Sequence, residues 1–134
     1  MSTMQLDIVT PERTVYSEQV EMVIARAAEG DIGILPHHSP FVSPLKITAV
    51  RVKKDGKEFL VAISGGFIEV RGDKVTILAE TAELPQDIDV ERAEAAKERA
   101  EKRLADKKKE DIDFKRAQLA LDKAINRIKV ARSR

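Results

Sequence analysis

All six glycines and all five prolines of this chain fall before residue 87, the last of each being Gly72 and Pro85. Glycine and proline punctuate strands and turns, so their abrupt loss marks a change of architecture. The cut separates residues 1–86 from residues 87–134, and the charges divide with it. Nine Lys/Arg stand against twelve Asp/Glu in the first part, and fifteen against eleven in the second. The 134 residues together carry a net charge of only +1, which argues against a polyanion binder. A 43% hydrophobic share is enough for one modest core. An α+β chain is expected, with a β unit first and a helical unit second.

The first part reads as β. Short β-branched or aromatic runs recur at Leu6–Val9, Val20–Ala25, Phe41–Val42, Ile47–Val52, Phe59–Ile63, Phe67–Val70 and Val75–Leu78. Lys53–Lys57 contains Asp55-Gly56, and Arg71–Lys74 contains Gly72-Asp73. Both pairs are hairpin signals, because these residues accept positive φ at little cost. No helical run intervenes, so a parallel βαβ sheet is not expected and a sandwich or barrel is.

The second part reads as two helices. Asp89 is placed to cap the first, which runs to about Leu104 with a thin stripe of Ala93, Ala96, Ala100 and Leu104. Ala105 to Asp111 forms a charged connector without Gly or Pro, compatible with a helical continuation. The second helix carries Phe114, Ala117, Leu121, Ala124, Ile128 and Ala131, a heptad-like seam that needs a partner. Such alanine-rich helices are marginal alone in water, so they must dock on the sandwich, each other or another protein.

Catalytic signals are sparse. There is no cysteine, hence no disulfide, thiol nucleophile or thiolate metal site. His37 and His38 are the only imidazoles; adjacent residues on extended chain point apart, so a metal site with Asp31 is not expected. Ser64-Gly65-Gly66 lacks the flanks of a nucleophile elbow, and no P-loop is present. A nucleic-acid surface is not expected either, since the basic tail interleaves acids and holds one aromatic, Phe114. The start MSTMQLDIV is no secretory signal, and no run is long and apolar enough to span a membrane. The expectation is a soluble intracellular protein.

Cations on the helices give a sharper signal. Arg92 and Arg99 are two turns apart, and Lys123 and Arg127 one turn, so each pair shares a face. In an antiparallel hairpin centred near residue 110, all four converge. Solvated surface charge is the plain alternative. Convergent cations repel unless an anion joins them.

The segments VTPERTVY, EGDIGILPHHSPFVSPL, SGGFIEV, DKVTILAE, DIDVERA and DIDFKRAQLALDKAINRI occur in this order along nearly the whole chain. In that order and spacing the chain resembles the epsilon-subunit family of bacterial F-type ATP synthases. The resemblance implies a ten-stranded β-sandwich followed by a two-helix antiparallel hairpin. It implies a non-catalytic subunit of the central stalk, peripheral on the cytoplasmic side of the cell membrane. The sandwich would be held by the gamma subunit and the c-subunit ring. The helices would lie on the sandwich or extend toward the alpha and beta subunits, restraining ATP hydrolysis. Arg116, Lys123, Arg127 and Lys129 would then face an acidic segment of beta. A free-standing ATP-sensing module stays open as the alternative.

Several members of that family bind ATP through an Asp-x-x-Arg-Ala pattern, here Asp89-Val90-Glu91-Arg92-Ala93. The resemblance implies that Glu83, Ile88, Asp89 and Ala93 line the adenine side. It assigns Arg92, Arg99 and Arg127 to the ribose and phosphates, with Lys123 where other members have arginine. Lysine keeps the charge but not the bidentate fork. ATP would be a regulatory ligand, with no metal site implied.

Overall fold

A computed structural model describes residues 2–106 and 111–133 of the chain. Eight strands come first: β1 (Met4–Val9), β2 (Thr14–Val20), β3 (Met22–Ala27), β4 (Gly30–Ile34), β5 (Phe41–Leu45), β6 (Thr48–Lys54), β7 (Lys57–Arg71) and β8 (Lys74–Glu83). A single 3-10 turn, Pro85–Asp87, leads into α1 (Val90–Ala105) and α2 (Asp111–Arg132). The strands follow the order β2-β1-β8-β7-β5-β3-β4, while β6 joins β3 to β7. Through that second junction β3, β6, β7 and β5 close a ring, and the sheet folds over one core. Alternate residues supply it: Met4, Leu6 and Ile8 from β1, and Val75 and Ile77 from β8, are all buried.

Two tight turns form where the sequence signals them. Asp55 and Gly56 take φ of +52° and +74° between β6 and β7, the paired positive values of a type I′ turn. Gly72-Asp73 closes β7 onto β8 in the same two-residue length. The strand count is eight rather than ten, and β7 accounts for much of the difference. The Phe59–Ile63 and Phe67–Val70 runs are one 15-residue strand, whose first half pairs with β6 and second half with β5. Gly65 and Gly66, at φ +67° and +123°, let it change partner. Conversely, the Val20–Ala25 run is split at Glu21 between β2 and β3, and β4 lies where no run was read.

Asp89 caps α1, its carboxylate accepting from the Arg92 backbone N–H at 3.1 Å. Asp106 is extended and ends the helix, so α1 does not run on through the connector; residues 107–110 lie outside the described residues. The helices are antiparallel, as Arg132 at the end of α2 donates to Glu94 near the start of α1 at 3.2 Å. Ala93, Ala100, Ala117 and Ala124 are buried along their seam, where small side chains permit close approach. Phe114 departs from the expected seam and is 51% exposed. It sits in the first turn of α2, opposite the level at which α1 has already ended at Ala105.

The hairpin docks on the sandwich by the end of α2. Val130, Ala131 and Ile88 pack on Ala62 of β7 in a small second cluster. Asn126 Nδ2 donates to the Thr48 carbonyl at 2.8 Å, fixing the helix over the start of β6. Among the described residues no helix is long and apolar enough to cross a membrane.

Candidate functional site

Between the sandwich and both helices lies a cleft of about 560 Å³, within the range of small-molecule sites. It exists because α2 is anchored through Asn126 and the residues after it, while its preceding turn stands over Ile47, Ser64 and Glu80. Arg92 reaches the cleft from α1, and Lys123 and Arg127 from α2. Arg13 borders it from the turn between β1 and β2, and Glu83 from the end of β8. Four cations and three carboxylates, Glu12, Glu80 and Glu83, therefore face one small volume.

Among the described residues only one of these cations is neutralised by a close acid. Arg127 donates to Glu83 through Nε at 2.6 Å and Nη2 at 3.1 Å, a bidentate pair. Both side chains are about one quarter exposed, at 25% and 28%, so the pair is shielded from bulk water. Arg13, Arg92 and Lys123 make no ion pair among the described residues. Ser64 Oγ, in the same lining, is buried without a hydrogen-bond partner among the described residues. Such an arrangement suits an anion carrying several charges, because planar guanidinium groups match phosphate oxygens.

Of the residues assigned to ATP by resemblance, the structure brings Glu83, Arg92, Lys123 and Arg127 into the cleft. Arg99 is exposed on α1 and does not line it, so three of the four helix cations converge rather than four. Ile88 and Ala93 are buried, the first against Val130 and Ala131. Asp89 is occupied as the helix cap. The Glu83–Arg127 pair was not foreseen, since 44 positions separate the partners and only the docking of α2 on β8's end joins them. Arg13 and Asn126 were likewise missed. Neither lies in a periodic pattern, and their positions depend on how the hairpin seats.

Arg116 is exposed on α2, and Lys129 borders a second groove with Arg26 and Lys46 of the sandwich. His37 lies against Asp73, with its backbone N–H donating to the carboxylate at 3.0 Å, and His38 Nδ1 is 2.7 Å from the Ser39 carbonyl. No cluster of three metal-ligating side chains forms among the described residues.

The family model for the ATP synthase delta/epsilon chain beta-sandwich domain matches residues 3–85, and that for the long alpha-helix domain matches residues 86–132. A protein named ATP synthase epsilon chain from Halalkalibacterium halodurans is 60% identical over 98% of both chains. Its namesake from Bacillus licheniformis is 59% identical over 98% of this chain and all of that relative. Among solved structures, a chain of the Euglena gracilis mitochondrial ATP synthase OSCP/F1/c-ring assembly superposes with a TM-score of 0.80. It is 24% identical, over 94% of this chain and 79% of that one. A chain of the Tetrahymena thermophila mitochondrial ATP synthase central stalk and c-ring gives a TM-score of 0.58 at 13% identity, over 98% and 95% of the two chains. These two likenesses show a shared fold.

Proposed function

The chain belongs to the ATP synthase delta/epsilon chain family, and from that premise we propose that it acts as a conformational brake in the central stalk of a proton-translocating F-type ATP synthase. It is a non-catalytic subunit. The sandwich attaches to the gamma subunit and the c-subunit ring at the cytoplasmic face of the cell membrane, and so supports coupling of ATP synthesis to proton flow. The helices alternate between the docked hairpin and an extended form that meets alpha and beta and restrains hydrolysis. ATP in the cleft favours the docked form.

The observation that carries the regulatory part is the convergence of Arg92 from one helix, Lys123 and Arg127 from the other, and Glu83 from the sandwich on one cleft. Undocking the hairpin takes these residues apart. A ligand that needs them together binds the docked form better, and only such a difference in affinity shifts a conformational equilibrium. The seam that must open holds Ala93, Ala100, Ala117 and Ala124, whose small side chains each contribute little apolar area, as suits a switch between two packings close in energy.

Calorimetry of the isolated chain with ATP is the direct test. Saturable binding, weakened by Arg92→Ala, supports the reading; no binding up to millimolar ATP ends the nucleotide part of it. The brake is tested in the assembled enzyme, where removing residues 87–134 raises ATP hydrolysis. Unchanged hydrolysis under inhibiting conditions overturns it.

A further inference from the structure

We propose that Arg13, on the turn between β1 and β2, is a phosphate-binding residue of the cleft, making the ligand a tie between the sandwich and both helices. The inference rests on the nucleotide reading above and adds to it a residue outside the helical part.

Three observations lead to Arg13. It borders the same cleft as Arg92, Lys123 and Arg127. Its backbone is fixed across the turn: the Thr10 N–H donates to the Arg13 carbonyl at 2.9 Å, and the Arg13 N–H donates to Thr10 Oγ1 at 3.3 Å. The guanidinium, by contrast, makes no ion pair or hydrogen bond among the described residues. The root is held and the fork is free.

The charge layout of the cleft gives that fork a task. The sandwich wall contributes Glu12, Glu80 and Glu83, all carboxylates, and among the described residues Arg13 is its one cation. Glu83 is already satisfied by Arg127, whereas Glu12 and Glu80 make no ion pair among the described residues. A polyphosphate drawn in by Arg92 and Lys123 meets an acidic wall except at Arg13. There a bidentate guanidinium contact is available, of the kind that recognises phosphate. Arg13 does not travel with the hairpin. A phosphate chain gripped from both sides therefore holds the helices down, whereas one gripped by the helices alone would only hold them to each other.

The test is calorimetry with ATP on the full chain and on Arg13→Ala, Arg13→Lys and Lys57→Ala. Lys57 is an exposed cation at the far hairpin, outside the cleft, and controls for the loss of one charge. Arg13→Ala is expected to weaken ATP about tenfold while leaving the ligand-free melting temperature unchanged, with Arg13→Lys between. Lys57→Ala is expected to bind like the parent. Equal affinities for parent and Arg13→Ala overturn the assignment and leave the nucleotide reading standing, as does an equal loss in Lys57→Ala. A parent chain that does not bind ATP overturns both.

Discussion

Gly66 is the glycine whose identity the fold constrains most tightly. Its φ is +123°, and a Cβ there would lie 2.0 Å from the Leu78 carbonyl oxygen of the neighbouring strand. Neither the backbone angle nor the contact can be relieved by rotating a side chain. Gly56 also has positive φ, at +74°, yet nothing lies within 4 Å of its Cβ position. Gly66→Ala is therefore expected to cost more than about 3 kcal/mol and Gly56→Ala about 1 kcal/mol, read from urea unfolding of the two variants. Asp7 offers a second test, in pH. Hydrogen bonds from Ser17 Oγ at 2.7 Å and Gln5 Nε2 at 2.9 Å hold its carboxyl below the usual aspartate value, with Lys74 adding attraction. A lowered folded-state value means stabilisation that is complete above the unfolded value and lost as pH falls through the folded one. Asp7→Asn is expected to be less stable at neutral pH and to lose stability less steeply on acidification than the parent. Identical slopes below the usual aspartate value would show that these bonds do not favour the ionised form.

Elements differ in how much of their stability is their own. All eight strands end by Glu83, and the main core draws only on residues before Pro85. The helices add a small cluster around Ile88, Val130 and Ala131, with Ala62 as its sandwich floor. A chain ending at Gln86 should thus retain a cooperative β unfolding transition with far-UV dichroism free of helix; a molten truncation would show that the hairpin completes the sandwich. The same contrast explains what was legible in the sequence. Asp55-Gly56 and Gly72-Asp73 were readable because the turn type demands those residues locally. Asp89 was readable because a cap acts on its own helix. The split at Glu21 and the fusion across Gly65 and Gly66 were not, since strand partners in three dimensions decide where a strand stops. β4, Gly-Asp-Ile-Gly-Ile, lacks a β-branched run and is specified by pairing with β3 through Val23↔Ile34 and Ala25↔Ile32. Half of the candidate site was legible for a similar reason. Helical spacing and the hairpin grouped Arg92, Arg99, Lys123 and Arg127, of which all but Arg99 reach the cleft, while Arg13, Asn126 and the Glu83–Arg127 pair follow from docking.

At the scale of the molecule, the docked form is held without a ligand by Asn126 on Thr48 and by Arg127 on Glu83. The second contact changes the electrostatics of closure. Arg127 arrives at a carboxylate, and Arg99 stays outside the cleft, so repulsion among the gathered cations is smaller than four bare charges would give. Arg13, Arg92 and Lys123 make no ion pair among the described residues and face only the carboxylates of Glu12 and Glu80 across the cleft, so a small cationic surplus sets the advantage that a bound polyphosphate brings. With ATP at 100 times its dissociation constant, the docked form gains about 2.7 kcal/mol, which for a domain of this size is a rise in melting temperature on the order of 10 °C. ADP, with one fewer phosphate, should raise it less. The double substitution Asp89→Ala with Arg92→Ala removes a cap and a cleft cation and should abolish most of the shift. Arg127→Ala separates two contributions that the other variants leave mixed. It strands Glu83 in a shielded position and should lower the ligand-free melting temperature by the loss of about 1–3 kcal/mol, besides weakening ATP. Scanning calorimetry of the parent and these variants, each with and without ATP, reads both effects in one series. If Arg127→Ala melts like the parent without ATP, the Glu83 pair does not hold the hairpin down, and closure then depends on the alanine seam and Asn126.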